Sequence, residues 1–330
     1  MSQSLLRELD LVSKKVNATL YDMFANKEPK VVYDASVHLI RAGGKRLRPF
    51  ITLKACELVG GRSEDALPMA VSIELIHNFT IVHDDIMDND DHRRNVPTVH
   101  VLWGIPVAII AGDVLFAKAY EAIFAARNVP PNQLLKATVV VNDAAINVCE
   151  GQAYDALFEE RRDVSEEEYL TMIYKKTAAL LEAAAKVGAM VGGGSALQVK
   201  KLGDLGYYAG LAFQVFDDIL GLTADEAILG KPVGSDIRKG KSTILMIHAL
   251  GHADENQRKR ILDVLGKKEA KTDKITEVIQ MAHALGSIDY AVKKAMAYIE
   301  KAKAQLASFP PSSSRVALID LCDYIASRNY

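Results

Sequence analysis

Leu75-Ile76-His77-Asn78-Phe79-Thr80-Ile81-Val82-His83-Asp84-Asp85-Ile86-Met87-Asp88 is the stretch that decides the fold class. Leu75, Phe79, Val82 and Ile86 recur at the spacing of an α-helix, and the scarcity of polar flanks means such a helix is buried on most sides. Its C-terminal end carries three carboxylates. Asp84 and Asp88, one turn apart, share a face, Asp85 is turned about 100° away, and His77 lies near the same face two turns earlier. Like charges one turn apart cost ~0.2–0.5 kcal/mol per pair even when solvated, and far more in a cleft. A second apolar run, Phe213-Gln214-Val215-Phe216-Asp217-Asp218-Ile219-Leu220, ends in the same way, with the Gln214 amide expected beside Asp217. Two acidic helix ends call for a cation. Oxygen donors without a cysteine or histidine cluster favour Mg2+, which takes one or two carboxylates per ion and completes its shell with water and substrate phosphate. The pattern therefore predicts a metal–diphosphate site.

Helical periodicity extends over nearly all of the 330 residues, whereas alternating β-branched runs are scarce, so the chain is expected to be all-α. Ser165 with Glu168, and Thr223 with Glu226, have the form of capping boxes at helix starts. Breaks are expected at Gly60-Gly61, Asn95 to Pro97, Pro130-Pro131, Gly192 to Ser195 and Pro310 to Ser314; none is long enough for a domain linker, and one domain is expected over 1–330. Gly192-Gly193-Gly194 lacks the preceding strand and following Lys-Ser/Thr of a phosphate loop and reads as a helix break. A formal charge of -2 with mixed signs argues against nucleic acid as partner. Cys56, Cys149 and Cys322 are widely spaced and read as buried small hydrophobes in a reducing cytoplasm. Met1 to Asp10 lacks an apolar core, so no signal peptide is expected. Val101 to Ala111 is strongly apolar but too short to span a membrane, and reads as a buried helix.

A diphosphate also needs cationic donors. Arg93 and Arg94 follow the first acidic cluster, and guanidinium forks match phosphate oxygens bidentately. Gly43-Gly44-Lys45-Arg46-Leu47-Arg48-Pro49 sets Lys45, Arg46 and Arg48 between glycines and a proline, a compact basic turn suited to a second phosphate. Lys176, Thr177, Lys231 and Lys241 are further candidates.

These residues resemble the trans-isoprenyl diphosphate synthase (polyprenyl synthetase) family, short-chain archaeal type. Gly43 to Pro49, Asp84 to His100, Gly151-Gln152 with Asp155, Lys176-Thr177 and Phe213 to Lys241 occur in the family's order, over nearly the whole chain. The resemblance implies an isoprenoid synthase helical bundle around a central cavity. It also implies head-to-tail condensation of isopentenyl diphosphate with dimethylallyl, geranyl or farnesyl diphosphate. Asp84, Asp85, Asp88, Asp217 and Asp218 would hold Mg2+, about three ions per site with Mn2+ able to substitute. Arg93, Lys176, Gln214 and Lys231 would assist the allylic diphosphate, with Lys241 nearby, and Lys45, Arg48, His77 and Arg94 would bind isopentenyl diphosphate. Lys176, Thr177 and Gln214 would also stabilise the allylic cation. Gly221 stands where many members carry a third aspartate in the second motif.

Ideal helix geometry sets Thr80 in line with Asp84 and Phe79 to the side. In the family a bulky residue five before the first aspartate is associated with short products, and Phe79 followed by the smaller Thr80 resembles the twenty-carbon arrangement. Geranylgeranyl diphosphate is the expected main product, with farnesyl diphosphate as the alternative. The resemblance further implies a cytoplasmic homodimer without stable membrane insertion. A class I terpene cyclase would not need the basic turn at Lys45 to Arg48, and a non-catalytic partner subunit would tend to have lost an aspartate motif.

Overall fold

Leu5, Leu9, Val12, Val16, Leu20 and Phe24 lie along one stripe of the first helix, and all six are buried. In the computed structural model, which describes residues 3–223 and 234–327, this helix is α1 (Gln3–Phe24). It is followed by α2 (Lys30–Arg41), α3 (Leu47–Leu58), α4 (Ser63–Met87), α5 (Val99–Trp103), α6 (Ile105–Phe124), α7 (Pro131–Phe158) and α8 (Glu166–Ile173). After a π-helical turn at Tyr174–Ala178 come α9 (Ala179–Val191), α10 (Ala196–Thr223), α11 (Ser235–Lys239), α12 (Ile244–His252), α13 (Glu255–Leu262), α14 (Thr272–Ala284), α15 (Ser287–Gln305) and α16 (Ser313–Ala326). Among the described residues the strand content is one pairing of β1 (His92–Arg93) with β2 (Val96–Pro97), so the chain is all-α as expected. No helix among them is long and apolar enough to cross a membrane.

The helices form two compact units. One comprises Met1–Ile146, Leu180–Gly206 and Lys303–Leu321, the other Asn147–Ala179, Tyr207–Ala302 and Cys322–Tyr330. In the first, α4 packs against α6 and α3 and is buried on every side from Met69 to Ile76, as its unpatterned apolar sequence requires. In the second, Ser165 and Glu168 form the expected capping box at the start of α8.

Three expectations need correction. Thr223 ends α10 rather than starting a helix, its hydroxyl donating to the Ile219 carbonyl, and Glu226 lies outside the described residues. Cys149 is exposed, unlike Cys56 and Cys322. The run from Val101 to Ala111 is not a buried helix. Gly104, at φ 81°, divides it into α5 and α6, and Val101, Leu102, Ile105, Ile109 and Ile110 are each 44–53% exposed. Helical apolarity does not reveal which surface of the chain will cover it.

Candidate active site

In the first unit the basic turn and the end of α4 come together. Arg46 and Arg94 both occupy the left-handed region, at φ 50° and 54°, which bulky residues enter only at a cost of order 1–3 kcal/mol. Tertiary hydrogen bonds hold them there. Arg46 precedes α3 and donates to the Ile40 carbonyl at 2.8 Å, the Gly43 carbonyl at 3.2 Å, Asn17 Oδ1 at 2.9 Å and Glu74 Oε1 at 2.9 Å. Arg94, with Asn95, makes the two-residue turn between β1 and β2, where both central residues have positive φ. Its Nη1 reaches the Gly43 carbonyl at 2.5 Å and the Leu39 carbonyl at 2.6 Å. Gly44 is required between these guanidinium groups, since a Cβ there would stand 2.8 Å from Arg46 Nη1 and 3.2 Å from Arg94 Cζ. Arg46 was expected as part of a phosphate-binding turn but is instead taken up by Glu74, which was not among the expected site residues. The basic turn contains Arg46, but nothing local marks it as the member that points inward.

Arg48 lies in the first turn of α3, and its Nη1 donates to His77 Nε2 at 3.3 Å. An arginine can only donate, so the imidazole is neutral with its proton on Nδ1. Desolvation, followed by the charges of Arg48, Arg94, Arg46 and Arg93, holds the His77 ring well below its ordinary range. Arg94 is itself pushed down to about 10 by burial, with Glu74 opposing and the neighbouring arginines adding to the shift. Its bonds are to carbonyls, and among the described residues no carboxylate forms an ion pair with it. Lys45 is exposed beside this cluster.

Asp84 and Asp88 lie on the partly exposed face of the α4 terminus, Asp88 capping the helix with its amide on the Asp84 carbonyl at 2.7 Å. Asp85 instead points inward and is 1% exposed. Arg93 grips its Oδ1 through Nε at 2.8 Å and Nη2 at 2.6 Å, while Oδ2 is buried without a hydrogen-bond partner. Desolvation raises the Asp85 carboxyl despite the opposing pull of Arg93. Phe79, one turn before His83, packs at 5.1 Å against Phe116, which in turn meets Tyr120 at 5.4 Å. Thr80 Oγ1 is turned back onto the His77 carbonyl at 2.9 Å.

In the second unit Lys176 and Thr177 sit in the π-helical turn, an irregularity enriched at functional sites. The turn lies tight against α7 because Gly151 has no Cβ, which would come within 2.2 Å of the Lys176 backbone nitrogen. Lys176 and Lys241 both donate to Asp155 Oδ2 at 2.6 Å, and Lys241 also meets Glu159 Oε1 at 2.7 Å. Desolvation opposes ionisation of Asp155, but the two ammonium groups overcome it and hold the carboxyl below its usual range. Asp155 is a further residue of this cluster, marked in sequence only by its place beside Gly151-Gln152.

The second acidic pair divides into two environments. Asp217 is partly exposed, whereas Asp218 is buried and accepts from Tyr169 Oη at 2.7 Å and Gln214 Nε2 at 3.1 Å. The Gln214 amide therefore serves Asp218 and not Asp217, and its Oε1 accepts from Thr177 Oγ1 at 2.8 Å. Burial pushes Asp218 up to about 7, with Tyr169 and Gln214 opposing. Tyr169 could not be found in the sequence, being one of many aromatic core candidates. At Gly221 a Cβ would lie 2.7 Å from Asp236 Oδ2, so Asp236 brings a carboxylate to the place where a third aspartate would stand. Lys231 lies outside the described residues.

All the acidic donors are oxygens, and among the described residues no three His, Cys, Asp or Glu side chains form a ready cage for an ion. Such a donor set, together with the buried and unpartnered Asp85 Oδ2, fits Mg2+, which completes its shell with water and phosphate rather than with protein.

The polyprenyl synthetase family matches residues 29–282, and the chain belongs to that family. It is 46% identical over 318 residues to a short chain isoprenyl diphosphate synthase of Methanothermobacter thermautotrophicus, covering 96% of this chain and 97% of the relative. It is 41% identical over 330 residues to a geranylgeranyl diphosphate synthase of Methanosarcina mazei, covering all of both chains. The crystal structure of geranylgeranyl pyrophosphate synthetase from Pyrococcus horikoshii superposes with a TM-score of 0.94 at 44% identity, covering 99% of each chain.

Proposed function

We propose that this chain is a Mg2+-dependent prenyltransferase that condenses isopentenyl diphosphate with dimethylallyl, geranyl and farnesyl diphosphates, giving mainly geranylgeranyl diphosphate and pyrophosphate. The observation that carries this reading is Arg94, a half-buried guanidinium fixed by two carbonyls, without a carboxylate ion-pair partner among the described residues and depressed to about 10. A cation so placed is completed by an anion. Neutral His77 adds a hydrogen-bond donor there without adding charge, and Lys45 and Arg48 flank it. This is the proposed cradle for isopentenyl diphosphate.

Asp84, Asp85, Asp88, Asp217 and Asp218 are the proposed holders of Mg2+ on the allylic diphosphate, directly or through water, Asp85 by its unpartnered Oδ2 and Asp218 in the orientation that Tyr169 and Gln214 give it. When bound, Mg2+ supplies charge stabilisation for the departing diphosphate. Lys176 and Lys241, which meet on one Asp155 oxygen while Lys241 also reaches Glu159, are the proposed donors to the phosphate oxygens, with Lys231 and Arg93 assigned to the same role by resemblance. The allylic carbon–oxygen bond then breaks to a delocalised cation, and by resemblance the Lys176 main-chain carbonyl and the oxygens of Thr177 and Gln214 are assigned to stabilise it. Isopentenyl diphosphate attacks it head to tail, and positioning supplies the remaining rate. The released diphosphate takes the proton, which agrees with the lack of a side-chain base in the proposed roles. Phe79, backed by Phe116, is the proposed floor for the growing chain beside Thr80.

We assign one catalytic domain to 1–330, because the family match runs through both units. A cytoplasmic homodimer is part of the same reading. Ile105, Ile109, Ile110 and Phe124 of α6 and Leu135 of α7 are exposed large apolar side chains, and we assign them to its interface. The decisive assay offers labelled isopentenyl diphosphate with each allylic partner and identifies the products. Asp84→Ala and Asp217→Ala are expected to lower turnover by about 10²–10⁴ at saturating Mg2+; rates within a few-fold of the parent would overturn the metal assignment.

A further inference from the structure

The second unit holds a cavity of about 260 Å3 that the proposed reaction does not use. Its cationic wall is Arg161, Arg162 and Arg258, and its floor is apolar, formed chiefly by Val164, Met246, Ile247, Leu250 and Leu265. Arg162 is fixed by backbone carbonyls, with Nη1 on Glu159 at 2.6 Å and Arg161 at 2.8 Å, and Nη2 on Leu265 at 3.4 Å. Arg258 donates Nη1 to the Leu250 carbonyl at 2.9 Å and is otherwise exposed. Neither forms an ion pair with a carboxylate among the described residues, whereas Arg161 is taken up by Asp163 and Glu168. The Asp163 carboxylate that lines the cavity is thereby already committed to Arg161.

Two oriented guanidinium groups above an apolar floor recognise an anionic head joined to a hydrocarbon body. We infer that this cavity is a second binding site, for a small prenyl phosphate whose phosphate meets Arg162 and Arg258 and whose hydrocarbon lies on Met246, Ile247 and Leu250. The choice of a prenyl body rests on the proposed function, because such compounds are then the amphiphilic phosphates at hand. The site is connected to the proposed diphosphate donors. The carbonyl of Glu159 holds Arg162 while its side chain holds Lys241, and Ser242, which lines the cavity, donates to the Phe158 carbonyl at 3.2 Å. An occupant that draws Arg162 toward itself acts on the segment that carries Lys241.

The test is calorimetric titration of the full chain with geranyl monophosphate. The proposed substrate sites are first saturated with Mg2+, isopentenyl diphosphate and the unreactive S-thiolo analogue of farnesyl diphosphate. One further binding event per chain is expected, weakened at least tenfold in Arg258→Glu and in Gly251→Leu. Gly251 lines the cavity in an ordinary backbone conformation, and a Cβ there meets nothing within 4 Å, so a larger side chain can be introduced at the cavity without a clash at its Cβ. Inorganic phosphate should compete at least tenfold more weakly than geranyl monophosphate. No second event, unchanged affinity in both variants, or equal competition by inorganic phosphate would each overturn the assignment. Failure of the analogue to bind in the first step would instead overturn the proposed function.

Discussion

Replacing Glu74 by alanine removes the carboxylate that meets the buried Arg46 guanidinium. The two side chains are 2% and 0% exposed, respectively, and their atoms lie 2.9 Å apart. Desolvated at this level, the surviving charge has no water to turn to, and breaking such a pair costs ~3–5 kcal/mol. Asn78 also loses a partner, since its Nδ2 donates to Glu74 Oε1 at 3.2 Å. At roughly 2–3 °C per kcal/mol for a larger chain, the thermal midpoint should fall by about 6–15 °C, read by circular dichroism at 222 nm. The double change Arg46→Met with Glu74→Leu removes both charges and should recover most of that loss, because apolar replacement of a whole buried pair is often neutral. It should not recover function. Arg46 also holds the carbonyls of Ile40 and Gly43, so the turn carrying Lys45 and Arg48 is released and the KM for isopentenyl diphosphate should rise about tenfold or more, with kcat less affected. A Glu74→Ala protein within ~1 kcal/mol of the parent would show that the pair is not desolvated and refute the reasoning.

Three further outcomes follow from other parts of the structure. Phe79→Ala should lengthen the product by one or more five-carbon units on chromatography, with Phe116→Ala extending it further, because the Phe79 ring rests on Phe116 at 5.1 Å; an unchanged product would remove Phe79 as the stop. Gly221→Asp should weaken Mg2+ dependence and turnover rather than improve them, since Asp236 Oδ2 already lies 2.7 Å from where its Cβ would be, and Gly221→Asp with Asp236→Gly should restore both. His77 is depressed in the folded chain relative to an unfolded value near 6.5. It therefore contributes stability above about pH 6.5 that is lost as pH falls, by up to ~1.4 kcal/mol per pH unit. Denaturant unfolding at pH 7.5 and 5.5 should show His77→Gln losing less stability than the parent over that interval.

Much of the molecule was legible in the chain itself. Periodicity alone gave the all-α class, and the burial of α4 from Met69 to Ile76 follows from a sequence with no polar face to turn outward. The capping box at Ser165 was legible because it closes within three residues, and the acidic helix ends because charge next to an apolar run needs a counter-charge. What each charged side chain does with its neighbours was decided by tertiary structure. Helical spacing could not reveal that Asp85 turns to Arg93, that Gln214 serves Asp218, or that Arg46 rather than Lys45 is the buried member of the basic turn. Asp155 gathers lysines from positions 176 and 241, and Asp236 enters the space left by Gly221. Local pattern fixes backbone period and the identity of charges. Partnership between charges distant in sequence depends on the approach of helices, which the pattern along one helix does not encode.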